Sequence, residues 1–473
     1  MVLTKKAKKD FTVGPIFVPM LTFVLPLMLT SILQVFYNMA DKIVVGQFSG
    51  DTTALAAIGS TASLTTLFVN FAVGTMAGVG VAVAHAYGAK EFEQVGRIVH
   101  TSFCFAAFLG VLFAMLAAIF CKPILVLMGT KEELLSGAVT YMLINCIGIP
   151  ATAVYNCGAG ILRSTGDSKT SLYILSSTGI INVLLNLFFV ICCHMSVEGV
   201  AIATVTAKYL SAIAVVCVLR SREDAPYRLR FSELRVDPDI LKKVMRYGLP
   251  MGVQSSLFSL SNVFITGAVN TFPTEVITAR SIANSIDELL GTALASYCHA
   301  STTFVGQNYG ARNPERIKRS IYCTVAQSLC VGITVATVIF LLKSPIALLY
   351  IDPTDPAKDV ILAETKRIMS FMLYSYLLHG VMNSLAGAMR GLGYSISSMI
   401  INLIASCGLR VLYLVALFPL INDGSILKVC AIYPITWLAA CLIYVGFLLS
   451  RRRKIKEHCE HKEEGAYNSK TTP

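Results

Sequence analysis

One carboxylate sits where an apolar chain has little reason to put it. Phe11 to Ala40 carries no charge; Asp41 and Lys42 interrupt that run, and apolar residues then resume. Ionisable groups in hydrocarbon are costly and functional by default. Asn182 and Asn186 share one helix face by their i, i+4 spacing, and so do Thr204 and Lys208. At 1.5 Å per residue all five side chains fall in the outer half of one helix bundle. A carboxylate beside amide and hydroxyl oxygens suits a proton or a hard cation such as Na⁺. Asp41, Asn182, Asn186, Thr204 and Lys208 are therefore expected to form an ion-coupling site, with Lys208 competing with the cation for Asp41. The bland alternative makes Asp41 a hydrated acid near the interface and Lys208 a packing residue. Lys42 lies about 100° round the helix and is expected to snorkel outward. A second set, Asp287, Glu288, His379 and Arg410, also falls at depth. Arg410 is expected to pair with Glu288 or Asp287, His379 close by, either as a structural pair or as substrate and proton sites.

The elements that must position these residues are long and apolar. The chain has 473 residues, 55% hydrophobic and only 14% charged. Its recurrent charge-free runs are long enough to cross a bilayer, which takes roughly 20 residues. Only helices and closed barrels satisfy the backbone in lipid, and runs this long are not strands. The fold class is therefore all-α and polytopic. About twelve transmembrane helices are expected: six in an N-terminal lobe, 15–220, and six in a C-terminal lobe, 240–450. A polar linker at 221–239 separates them, with tails at 1–14 and 451–473. The net charge of +12 is gathered in KKAKK (5–9), Arg220 to Arg246, ARNPERIKR (311–319) and RRRKIK (451–456). That is the placement of cytoplasmic loops, not of a nucleic-acid surface. Both termini are expected to be cytoplasmic, and the first apolar run is too long for a cleaved signal. The 14 cysteines form no CxxC or Cys/His zinc spacing, so neither metal nor disulfide is expected. The sequence shows no phosphate loop, nucleophile elbow or paired-carboxylate motif in a polar loop, which disfavours a membrane enzyme.

The two halves repeat each other. AYGAKEFEQVGR (86–97) matches NYGARNPERIKR (308–319), and NCGAGILRSTGD (156–167) matches NSLAGAMRGLGY (383–394). Leu25-Pro26 and Leu249-Pro250 open the two halves in the same way. Parallel repeats of this kind build transporters that bind substrate between two lobes and alternate its access. Arg163 and Arg390 at helix ends, and the YGA-Lys/Arg turns, are expected to orient helices. Tyr37, Phe68, Met76, Tyr155 and Met382 are candidates to line a promiscuous substrate cavity.

Taken together, YNMADKIVVGQFSG, AYGAKEFEQVGR, GILRSTGD, INVLLN, FVGQNYGARNPE and AMRGLG resemble the multidrug and toxic compound extrusion (MATE) family over nearly the whole chain. The resemblance implies two six-helix lobes around a V-shaped cavity, and export of organic cations against H⁺ or Na⁺ with no cofactor. It is nearest the bacterial DinF-like branch, whose N-lobe ion site maps onto Asp41, Asn182 and Thr204. Asn186 stands where that branch has a second aspartate. The other bacterial branch uses C-lobe acids, where this chain has Gln254 or Ser255, and His379. Gln254 thus joins Asp287, Glu288, His379 and Arg410 in a candidate C-lobe polar network. A monomeric antiporter in the cell (inner) membrane follows, with the lipid bilayer and small organic cations as its partners. The alternatives are a flippase for a lipid-linked precursor and a receptor or scaffold that does not transport.

Overall fold

The computed structural model describes residues 10–48, 54–127, 129–351, 355–421 and 424–468. At some positions only the backbone is described. The KKAKK cluster and the expected course of the Lys42 side chain lie outside the described residues.

All described secondary structure is helical. In the first half come α1 (Phe17–Phe48), α2 (Ala54–Gly88), α3 (Phe92–Leu127), α4 (Glu132–Ile147), α5 (Ile149–Ser164), α6 (Ser168–Leu187) and α7 (Val197–Ser221). The second half has α8 (Pro238–Val269), α9 (Thr274–Gly310), α10 (Pro314–Leu341), α11 (Lys343–Leu348), α12 (Lys358–Met372) and α13 (Tyr376–Gly391). It ends with α14 (Ser395–Asn402), α15 (Leu409–Leu412), α16 (Phe418–Ile421), α17 (Ile426–Cys430) and α18 (Ile432–Asn468). Among the described residues, 8 helical stretches are long and apolar enough to cross a membrane. The pair α4–α5, bent by 41°, makes a ninth. Pro150, just past the break at Gly148, lacks the N–H that would continue the ladder. α8, α9 and α12–α13, which the sequence assigns to the remaining expected spans, fall short of that measure. They are less apolar for a physical reason: α9 buries Ser, Thr, Gln and Asn along its length, so much of its surface faces protein.

The repeat is visible in backbone geometry. Both α2 and α9 end in a left-handed turn at a non-glycine residue, Lys90 (φ 61°) and Arg312 (φ 56°). In both turns a 6→1 bond closes the helix, Glu91 N–H to the Ala86 carbonyl and Asn313 N–H to the Asn308 carbonyl, each 3.0 Å. Gly166 (φ 90°) and Gly393 (φ 83°) close α5 and α13 in the same manner. Asp167 then caps α6 through the Thr170 N–H at 3.1 Å.

The chain packs as two compact units. One holds Leu25–Ser256 with the residues before Gly14; the other holds Gly14–Val24 with Leu257 onward. Of the three divisions, the one at Gly14 precedes α1 and the other two fall within helices, α1 and α8. In the first unit α2 and α8 cross backbone to backbone. A Cβ on Gly78 would overlap Gly248 N, one on Gly248 would overlap the Thr75 carbonyl, and one on Gly74 would lie 2.7 Å from the Met251 carbonyl. The linker is strapped to this unit. Asp237 pairs with Arg97, the Arg230 N–H donates to His100 Nε2 at 3.1 Å, and Leu229 is buried in the core. In the second unit the Gln327 amide donates to the Phe17 carbonyl at 2.6 Å, and Phe23 meets Phe304 edge to face. α9, α10, α13 and α18 form its centre.

Candidate functional site

In the first unit α1 carries Asp41, α6 carries Asn182 and Asn186, and α7 carries Thr204 and Lys208. α6 packs on α7, and α7 packs on α4. The i, i+4 pairs then do what their spacing predicts. The Asn186 amide donates to Asp41 Oδ1 at 2.5 Å, and the Thr204 hydroxyl donates to Oδ2 at 3.3 Å. Asn182 Nδ2 reaches Thr204 Oγ1 at 3.4 Å, and Asn186 Nδ2 reaches Asn182 Oδ1 at 3.5 Å. Four of the five expected residues form one hydrogen-bonded cluster. Lys208 sits at its edge: its ammonium donates to Asn145 Oδ1 at 3.3 Å. It remains within electrostatic reach of Asp41. Asn145 and Tyr141, on α4, were not among the expected residues. Asn145 Nδ2 donates to the Tyr141 carbonyl at 3.0 Å, and Tyr141 also feels the Asp41 charge. Their own i, i+4 spacing within the charge-free run 134–162 was the available signal.

Immediately after Asn186, α6 widens into a π-helical turn, Phe188–Cys192. Turns of this kind occur frequently at functional sites. Asn186 Oδ1 is buried with no hydrogen-bond partner. With Asp41, Thr204 Oγ1 and Asn182 Oδ1 it makes an oxygen-rich set of the kind that takes a proton or a small hard cation.

The second set is assembled differently from the expectation. Arg410 does not pair with Asp287 or Glu288. Asp287 pairs instead with Arg280, two turns earlier on α9, at 2.9 Å, and both are buried. The i, i+7 spacing was the legible signal. Glu288, about 100° round α9, is exposed and stands apart from this network. Arg410 is completely buried, donates to Asn262 Oδ1 at 3.2 Å, and stacks on Phe258 and Tyr433. His379 packs against Trp437, with centroids 4.9 Å apart, and bonds Asn383 at 3.1 Å. Gln254 is half-buried on α8 and falls in the first unit.

The cavity candidates divide as well. Met76 and Tyr155 are buried in the first unit's apolar core, and Met382 is buried in the second. Here their side chains pack between helices. Phe68 packs against Phe113 and the adjacent core. Tyr37 is half-buried, lies against Gly179 and donates to the Ser176 carbonyl at 3.2 Å.

Paired helical repeats built from long apolar helices, with polar clusters set among them, define a multi-pass membrane protein. The MatE family model matches residues 26–188 and 250–415, one segment per repeat, and the chain belongs to this family. A probable multidrug resistance protein of Bacillus subtilis (strain 168), YoeA, is 27% identical over 434 residues, covering 90% of this chain and 92% of that one. A protein named FAD transporter, from Shewanella oneidensis (strain ATCC 700550 / JCM 31522 / CIP 106686 / LMG 19005 / NCIMB 14063 / MR-1), is 24% identical and covers 82% of this chain and 84% of that one. The fold matches an outward-facing multidrug resistance MATE transporter of the MOP superfamily with a TM-score of 0.87 at 20% identity, over 96% of this chain and 100% of that one.

Proposed function

We propose that this protein is a secondary multidrug antiporter that exports amphipathic organic cations against H⁺ or Na⁺ bound at Asp41. One observation carries the reading: a membrane-embedded carboxylate held by Asn186 and Thr204, with the Lys208 ammonium tethered to Asn145 beside it. An acid placed this way is neutralised by a proton or cation, which removes its desolvation cost and favours a different packing of α1 against α6 and α7. Lys208 competes for the same charge when the ion leaves. Access alternates between the two repeats. The protein acts as a monomer in the cell membrane with both termini cytoplasmic, and it uses no cofactor beyond the coupling ion.

Ethidium efflux from reconstituted vesicles tests this under a pH gradient and a Na⁺ gradient in turn. Efflux driven by one gradient and reduced at least tenfold in Asp41→Asn is expected, and the effective gradient names the ion. Efflux undiminished in the variant would remove Asp41 from the coupling. A second reading, a flippase for a lipid-linked precursor, is favoured by the buried Arg280 and Arg410. Wild type that binds lipid pyrophosphate and moves no ethidium would select it. Absence of any ion-dependent flux would select the non-transporting receptor.

A further inference from the structure

The C-terminal repeat builds its buried cluster on the same helices as the N-terminal one. In the first half the first, fifth and sixth helical segments supply Asp41, Asn182 with Asn186, and Thr204 with Lys208. In the second half those segments are α8, the α14–α16 segment and α17–α18. They supply Asn262 with Phe258, Arg410, and Tyr433 with Trp437. The fifth segment again carries π-helical turns, Leu403–Gly408 and Tyr413–Leu417, on either side of Arg410. The charge is reversed: a guanidinium now occupies the polar cluster that holds a carboxylate in the other half.

That guanidinium lacks compensation. The titratable groups that interact with it are Tyr433, Cys407, Tyr376 and His379, and Arg280, paired with Asp287, contacts the same Tyr433 ring. Asp287 is taken by Arg280, so the cluster holds two guanidiniums and one carboxylate. Arg410 Nη1 bonds the neutral Asn262, while its Nε and Nη2 are buried and have no partner among the described residues. Trp437 Nε1 and His379 Nδ1, in the neighbouring stack of rings, are also buried and unpartnered. The Tyr433 ring lies between the two guanidiniums, 5.0 Å from Arg410 and 5.6 Å from Arg280. Burying an unpaired charge costs several kcal/mol, and buried donors are normally satisfied.

We propose that the second repeat holds a buried anion site at the Arg410 guanidinium, beside the Tyr433–Trp437 rings, which takes a small monovalent anion: chloride or the carboxylate of a small organic acid. The anion supplies the missing negative charge and accepts from the unpartnered N–H groups. The site lies in the other repeat from Asp41, so its failure would leave the proposed coupling untouched.

Trp437 is the chain's single tryptophan, so intrinsic fluorescence reads this site directly. The purified full-length protein in detergent is titrated with sodium chloride or sodium acetate, Na⁺ being held constant with bulky sodium methanesulfonate. A saturable change is expected, with its midpoint raised at least tenfold in Arg410→Met and unchanged in Glu288→Gln. Saturation by chloride alone identifies a halide site; saturation by acetate as well identifies a carboxylate site. A response that is linear and equal for all three salts would overturn the proposal. Wild-type thermal unfolding gives a second test that needs no variant: the midpoint should rise with the anion's concentration at constant ionic strength. A flat profile would overturn the proposal too.

Discussion

Asp287 is buried and Asp41 half-buried, and the two acids have different neighbours. Asp41 is held by the neutral Asn186 and Thr204, whereas Asp287 is paired with Arg280. Removing one partner of a buried pair leaves the other uncompensated, which costs about 3–5 kcal/mol. Asp287→Asn should therefore lower the thermal midpoint in detergent sharply, and the double variant Arg280→Met, Asp287→Leu should recover most of the loss. A double variant as unstable as the single one would make the pair a necessary element. Outside the membrane, Arg97 holds the Asp237 carboxyl below the usual carboxylate range by hydrogen bond and charge. A depressed folded pKa gives stability that is present above the unfolded value, about 4, and lost as pH falls through the folded one. Wild type should lose more of its thermal midpoint below pH 4 than Asp237→Asn does; coincident slopes would show that the pair contributes nothing. The pair is partly exposed, so the effect is small. The N-lobe cluster was legible because Asn182 with Asn186, and Thr204 with Lys208, each advertise one helix face. The partners of Arg410 were not, because Asn262, Phe258 and Tyr433 are distant in sequence and meet only by packing.

At the scale of elements, the helices and the repeat follow from charge-free length and from two motif pairs. The matching turns at Lys90 and Arg312 give that likeness a backbone cause. The π-helical turns had no sequence signal: an extra residue per turn leaves the apolar pattern of a lipid-facing helix unchanged. Nor did the crossing of α2 with α8, since nothing in GTMAG or YGLPMG says which other glycine each faces. Gly78→Ala or Gly248→Ala should separate that crossing and lower the yield of folded protein several-fold in size-exclusion chromatography. Gly59→Ala and Gly267→Ala, where an added Cβ meets nothing within 4 Å, should match wild type. Equal yields for all four would mean that the crossing tolerates a side chain.

At the scale of the whole molecule, the sequence places the natural seam in the polar stretch 221–239, whereas packing places it inside α1 and α8. The seam was hidden because both helices are apolar on either side of the division; only contacts such as Gln327 with Phe17, and Gly248 with Thr75, reveal it. This has a genetic consequence. A gene cut within the linker encodes two polypeptides, neither of which contains a complete packing unit: the first carries Gly14–Val24 away from its partners, and the second carries the leading half of α8 away from its own. Each fragment expressed alone should be degraded, and the two expressed together should complement, the behaviour of one gene in two pieces and not of two fused ancestral genes set free.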